Sequence, residues 1–248
     1  MAPNYTEFSD RRLVALYDTL NPLGVDSEFF CSEIAKLEAS SIIDLGCGTG
    51  LLTNELARRG HKMIGIEPSE AMLAIARTKP DAAHIKWIKG SFEQMEELQA
   101  DMVLMTSHVA QFFLNDTEWQ AMLKAAYRAL KPGGHVVFDI RRLTKPPFIG
   151  WPTEDSRRTF ENTTVGSIEW WFKLLEIKDT HVRYELHYLF VHSGEEIVST
   201  NELIFRSQEE IIQALSDAGF KVEIVYGDWD GSPTDAESPE MIFLALRN

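Results

Sequence analysis

Apolar residues recur near the start of the chain at helical intervals: Leu13, Leu16, Tyr17 and Leu20 fall at i, i+3, i+4 and i+7, and Phe29, Phe30, Ile34 and Leu37 make a second stripe. The spacing predicts one helix over 11–20 and another over 29–37, parted by the Asn21-Pro22-Leu23-Gly24 break. From residue 41 the period switches, and short β-branched runs alternate with helical stripes. Strands are predicted over 42–45, 62–67, 85–89, 102–105 and 135–140. The helices between them carry Leu51, Leu52, Leu56 and Ala57, then Met72, Leu73, Ile75 and Ala76, then Trp119, Met122, Leu123, Ala126 and Leu130. Ser69 and Asn115 stand where N-caps belong and Gly60 where a C-cap glycine belongs. Alternating strand and helix predicts an α/β fold.

Past Arg141 the rhythm changes. Pro146, Pro147, Gly150 and Pro152 break any helix, and strict alternation follows. Ile168, Trp170, Phe172 and Leu174 share one strand face; Val182, Tyr184, Leu186, Tyr188 and Phe190 share another, with Arg183, Glu185 and His187 opposite, and a third run covers 197–206. These runs predict an antiparallel meander. The α/β pattern returns with the capping box Ser207-Gln208-Glu209-Glu210, a helix through Ile211, Ile212 and Leu215, and Gly219 as C-cap. Strands over 220–226 and 241–246 flank a loop rich in acid, Gly, Ser and Pro.

At 248 residues the chain can bury one sizeable core, and its 44% hydrophobic and 25% charged residues are those of a soluble globular protein. No apolar run reaches a membrane span and residues 1–10 lack the layout of a secretion signal, so the cytoplasm is expected. The net charge of −14 weighs against a nucleic-acid partner, which draws on clustered Lys and Arg. Cys31 and Cys47 are too few for a metal site or a disulfide scaffold; both are expected reduced, and no metal is expected.

Asp44-Leu45-Gly46-Cys47-Gly48-Thr49-Gly50 sets three glycines at every second position between the first strand and its helix. Such glycines permit positive φ and let a ligand approach the main chain, at the carboxyl edge where α/β sheets bind ligands. The dinucleotide fingerprint needs its third glycine three residues after the second; Leu51 holds that position here, and the glycine comes one residue early at Gly50. No Lys-Ser or Lys-Thr follows, as a phosphate-binding loop requires. The turn therefore suits a nucleoside without a phosphate. Asp44-x-Gly46-x-Gly48-x-Gly50 resembles the first motif of the class I S-adenosylmethionine-dependent methyltransferases, and Leu130-Lys131-Pro132-Gly133-Gly134 before an apolar strand is a second resemblance to that family. The matched segments span about residues 41–140.

The resemblance implies a Rossmann-like seven-stranded sheet of order 3-2-1-4-5-7-6, strand seven antiparallel, with the meander as an inserted antiparallel β cap after strand five. It divides one catalytic domain into an N-terminal helical segment over the cofactor (1–40), an S-adenosylmethionine-binding core (41–145 and 207–248) and a substrate cap (146–206). Glu67 lies 21 residues beyond Gly46, the distance at which an acid accepts from a ribose diol, unless it is a solvated acid at a strand end. By resemblance the cofactor is surrounded by Asp44, Gly46, Cys47, Gly48 and Gly50, by Glu67, Pro68 and Met72, by Gly90, Ser91 and Phe92, and by Thr106 and Ser107. Ser91 stands where the family commonly has Asp. Tyr17 either lines the cofactor pocket or packs in the core.

The strand-four exit, Thr106-Ser107-His108-Val109, carries no Pro-Pro-Tyr or Pro-Pro-Phe, and no Pro-Cys follows, so the nucleic-acid and protein-glutamine methyltransferases are a poor match. The expected function is methyl transfer from S-adenosylmethionine to a small molecule through an N, O, S or C acceptor, leaving S-adenosylhomocysteine. His108 is the candidate general base, or else it hydrogen-bonds the loop or the cofactor. His108, Arg141, Arg142, Trp151 and Trp229 are the candidate acceptor contacts. The alternatives are a non-catalytic S-adenosylmethionine-binding protein and a nicotinamide-dependent oxidoreductase, the latter opposed by the glycine spacing. Oligomeric state is left open, a homodimer included.

Overall fold

The computed structural model describes residues 3–95, 98–143, 156–162 and 165–248. The proline-rich break over 146–152 and Trp151 lie outside these residues. No helix among the described residues is long and apolar enough to cross a membrane.

The N-terminal segment forms a single 3-10 turn, Thr6–Phe8, then α1 (Arg11–Val14), α2 (Tyr17–Leu20) and α3 (Val25–Lys36). The helix predicted over 11–20 is thus two single turns, the first capped by Asp10, whose carboxylate accepts from the Arg12 N–H at 2.8 Å. The two turns face different partners. Leu13 and Leu16 pack on Ile168, Tyr188 and Phe190, while the Asp18 carboxylate accepts from the Thr49 hydroxyl and pairs with Lys79.

Next come β1 (Ser41–Leu45), α4 (Leu51–Arg58), β2 (Lys62–Glu67), α5 (Glu70–Ala76), β3 (Lys86–Lys89), β4 (Ala100–Met105), α6 (Asp116–Ala129) and β5 (Leu130–Arg141). The caps read from the sequence are present: the Ser69 Oγ accepts from the Met72 N–H at 3.2 Å and the Asn115 Oδ1 from the Glu118 N–H at 2.9 Å. Strand β5 begins at Leu130, five residues before the predicted start, and pairs Leu130 with Ala100 across an irregularity. Gly134 permits this, because a Cβ there would stand 2.8 Å from the Asp101 carbonyl oxygen.

The second sheet is built by β6 (Arg158–Asn162), β7 (Gly166–Lys178), β8 (His181–Phe190) and β9 (Glu195–Ile204), antiparallel throughout. The edge strand β6 was not expected, since Arg-Thr-Phe-Glu-Asn shows no apolar alternation. The chain closes with α7 (Gln208–Asp217), β10 (Phe220–Tyr226) and β11 (Glu240–Arg247). The larger sheet has the order β10-β11-β5-β4-β1-β2-β3, with β11 antiparallel to both neighbours. Counting β10 and β11 as the sixth and seventh strands of the α/β unit, this is the expected seven-stranded order.

Both faces of that sheet are covered, as a mostly parallel sheet requires. Ile43, Val103, Phe138 and Phe243 face Trp119 and Leu123 of α6 and Leu215 of α7. Their neighbours Ile42, Met102, Val137 and Ile242 face Phe30 and Ile34 of α3 and Leu56 of α4.

Candidate active site

The site starts at the carboxyl end of β1. The Gly46 and Cys47 N–H groups donate to the Ile66 carbonyl at 2.8 and 3.2 Å, which lashes the turn to β2. Gly46, Gly48 and Gly50 take φ of 77°, 55° and 69°, a region that other residues enter only with strain. A Cβ at Gly46 would meet Val109 at 2.7 Å, and one at Gly50 would meet the Trp87 ring at 2.5 Å. At Gly48 it would meet nothing within 4 Å, and Gly48 lines the cavity.

Two carboxylates frame this turn. Asp44 is 2% exposed; its Oδ2 accepts from the Thr53 hydroxyl at 2.6 Å, while Oδ1 is buried without a partner among the described residues. Burial pushes the Asp44 carboxyl up to about 6. The Glu67 Oε2 accepts from the Gly48 N–H at 3.1 Å and Oε1 from the Ser69 N–H at 2.9 Å. Burial also raises its pKa, and those two amides oppose the rise.

The exit of β4 is strained, with Ser107 and His108 at φ of 56° and 63°. Asp139 of β5 holds the bend, its Oδ2 accepting from the His108 backbone N–H at 3.0 Å. The His108 Nε2 lies 3.2 Å from Asp139 Oδ2 and 3.1 Å from Glu240 Oε2. Burial holds the imidazolium down to about 4, and burial pushes the Asp139 carboxyl up to about 6 and the Glu240 carboxyl up to about 8. Near neutral pH the ring is therefore uncharged and Glu240 retains its proton. These three side chains offer ligand atoms within 4.8 Å of one another, a histidine-and-carboxylate set of the kind that binds divalent metals. The hydrogen bonds just described occupy the same atoms.

A cavity of about 1320 Å³ runs from the glycine turn to the second sheet. Of the residues read from the sequence it gathers Tyr17, Asp44, Gly46, Cys47, Gly48, Glu67, Pro68, Met72, Ser91, Thr106, Ser107, His108, Arg141 and Trp229 into its wall. It does not gather all of them. Gly50 lies behind the turn against Trp87, Gly90 against Gln94, and Phe92 against Phe113 at 6.0 Å between ring centroids. Arg142 turns away from the cavity: its guanidinium donates to Gln208 Oε1 at 3.0 Å and to the Thr234 hydroxyl at 2.7 Å. Trp151 is outside the described residues.

The N-terminal segment is fastened over this edge by Asp18 on Thr49 and by the Ser69 hydroxyl, which donates to the Phe8 carbonyl. Sequence reading missed Glu7, Asp139 and Glu240. Asp139 left a trace, a single acid in the apolar run Val136-Val137-Phe138-Asp139-Ile140; Glu7 and Glu240 left none.

Residues 42–134 match the family model described as a methyltransferase domain. Over 222 residues the chain is 25% identical to the putative methyltransferase YqeM of Bacillus subtilis (strain 168), covering 87% of each protein. Its fold is similar to that of an S-adenosylmethionine-dependent methyltransferase from Clostridium acetobutylicum ATCC 824 (TM-score 0.78, 16% identity, 95% of this chain and 97% of the other). It is also similar to the sugar N-methyltransferase KedS8 from Streptoalloteichus sp ATCC 53650 (TM-score 0.78, 18% identity, 100% of this chain and 94% of the other). With the sheet order and the glycine turn, the domain match identifies residues 42–134 as a methyltransferase domain, set in a fold shared with S-adenosylmethionine-dependent methyltransferases.

Proposed function

We propose that this enzyme methylates a small molecule held in the cavity between the α/β core and the antiparallel sheet. The observation that carries the reading is the cavity itself: its 1320 Å³ is continuous from the glycine turn to Trp170, Tyr184 and Tyr188 of the second sheet. That volume exceeds a typical small-molecule pocket of roughly 300–1,000 Å³, so it has room for a cofactor and an acceptor side by side. KedS8, whose fold is similar, is a sugar N-methyltransferase, which agrees with a small polar acceptor.

The residues present fit S-adenosylmethionine. Gly48 leaves open space where a Cβ would stand, and the unpartnered Asp44 Oδ1 is suited to a donor on the ligand. Each Glu67 oxygen keeps a second lone pair for a ribose hydroxyl, while its bonds to the Gly48 and Ser69 amides fix its direction. Cys47, Pro68, Met72, Ser91, Thr106 and Ser107 complete the wall, and Tyr17, on the N-terminal segment, closes it from above. When bound, the cofactor supplies the electrophilic methyl group. The protein aligns the acceptor and keeps water out.

His108 is the proposed proton acceptor. It is uncharged near neutral pH, lines the cavity, and has Nε2 held by Asp139 and Glu240, so a proton taken at Nδ1 is stabilised by the Asp139 carboxylate behind the ring. Arg141 and Trp229 are proposed to position the acceptor, Arg141 by pairing a carboxylate. On this reading residues 1–40, the α/β core and the second sheet act as cofactor cover, donor site and acceptor cap. The charge of −14 supports a setting away from nucleic acid.

The test is incubation with S-adenosylmethionine and a panel of small metabolites, followed by mass detection of a gain of about 14 Da, one methylene. Methylation confined to nucleic acid or protein would overturn the reading.

A further inference from the structure

We propose that Glu7 binds the methyl acceptor by pairing with a cationic amine on it, inside a cage of aromatic side chains. This rests on the reading of the cavity as the methyl-transfer site and adds the chemical class of the acceptor.

Glu7 sits in the Thr6–Phe8 turn, which is laced to β9: the Asn4 and Tyr5 N–H groups donate to the Thr200 carbonyl at 2.9 and 3.2 Å, and the Glu7 N–H to the Ser199 hydroxyl at 3.2 Å. The side chain lines the cavity at 5% exposure. Asn201 hydrogen-bonds the carboxylate, but Oε2 has no partner among the described residues. A carboxylate buried with one oxygen unpartnered is unfavourable unless a proton or a cation completes it. Burial accordingly pushes its pKa up to about 7.

What surrounds Glu7 favours a cation. Tyr5 and Phe8 pack edge-on against Phe112 at 5.6 and 5.8 Å, Phe8 against Tyr17 at 6.2 Å, and all four rings line the cavity. The Glu7 charge raises the pKa of Tyr5, Tyr17, Tyr184 and Tyr188, so these phenols lie within its electrostatic reach, and all four line the same cavity. Aromatic faces attract ammonium groups and leave anions unsatisfied. Among the described lining residues carboxylates predominate, and Arg141 is the one arginine or lysine. An amine on the acceptor supplies the missing positive charge at Glu7; an acidic group beside Glu7 would add to the repulsion.

The experiment uses the full chain saturated with S-adenosylhomocysteine, at pH 8, with cyclohexylamine and cyclohexanol as probes followed by ligand-observed NMR. The amine, like lysine, stays charged to about pH 10. It is expected to bind at least about tenfold more tightly than the alcohol, a preference of roughly one charge-assisted hydrogen bond. Glu7→Gln keeps the size of the side chain and is expected to bring the amine down to the level of the alcohol. Equal binding of the two probes by the wild type, or an undiminished preference in Glu7→Gln, overturns the proposal. The wild-type comparison decides by itself should the variant not fold. Failure of S-adenosylhomocysteine to bind at all strikes the cavity reading instead, so the two failures are distinct.

Discussion

At the scale of single residues, acids with two neighbours each organise the chemistry. Glu67 braces the Gly48 and Ser69 amides, and each such charge-assisted bond is worth about 1.5–3 kcal/mol. Glu67→Ala is therefore expected to weaken S-adenosylmethionine binding in calorimetry by at least about tenfold, and unchanged affinity would remove Glu67 from the cofactor site. His108 is held at its backbone by Asp139 and at Nε2 by Asp139 and Glu240. If it takes the acceptor's proton, His108→Ala should lower kcat on the true acceptor by roughly 10²–10⁴-fold and abolish the acid limb of the pH profile, with cofactor affinity little altered. An unaltered profile would leave His108 as a hydrogen-bonding residue of the loop. The place of Glu67 beside the glycine turn was legible because one acid at one distance carries the signal, whereas His108 acquired its partners from β5 and β11, strands far away in sequence.

At the scale of elements, the β1–α4 turn separates glycines packed against neighbouring side chains from one, Gly48, with open space at the cavity wall. Gly50 is wedged under Trp87, and alanine there meets both a positive φ and a ring at 2.5 Å. Gly50→Ala is expected to cost about 2 kcal/mol or more in urea unfolding, from left-handed strain plus overpacking. Gly48 shares the positive φ but has no neighbour within 4 Å of a new Cβ. Gly48→Ala should cost only about 1–2 kcal/mol of stability while reducing cofactor affinity by a larger factor than its stability loss implies. Equal effects of the two substitutions on both measurements would contradict this division. The turn was readable because backbone sterics act over a few residues. The break of residues 11–20 into α1 and α2 was not, because the partners of these turns, Thr49, Lys79 and the second sheet, are all remote in sequence.

At the scale of the whole molecule, several acids are buried together around one cavity, and this makes stability depend on pH. The carboxyls of Glu7, Asp44, Asp139 and Glu240 are raised to about 7, 6, 6 and 8. Each holds its proton better in the folded than in the unfolded chain, so its contribution is full below about pH 4 and is lost as pH rises through the folded value. His108, lowered to about 4, acts the opposite way: its contribution is present above about 6.5 and is lost as pH falls towards 4. Between pH 6 and 8 the acids dominate, and the melting temperature of the ligand-free protein is expected to fall by several degrees, each kcal/mol being worth about 2–4 °C. Glu240→Gln should flatten that slope, and a melting temperature constant across the window would contradict the linkage.

The sequence by itself determined the strands and helices of the α/β core, their caps, the glycine turn and Glu67, because periodicity, capping and φ preference are local properties of a few neighbouring residues. Only the tertiary structure decided that Glu7, Tyr17, His108, Asp139 and Tyr184 line one cavity, and that Arg142 does not. Those neighbours come from the N-terminal segment, the larger sheet and the smaller one, and packing between elements distant in sequence leaves no period in the chain to be read.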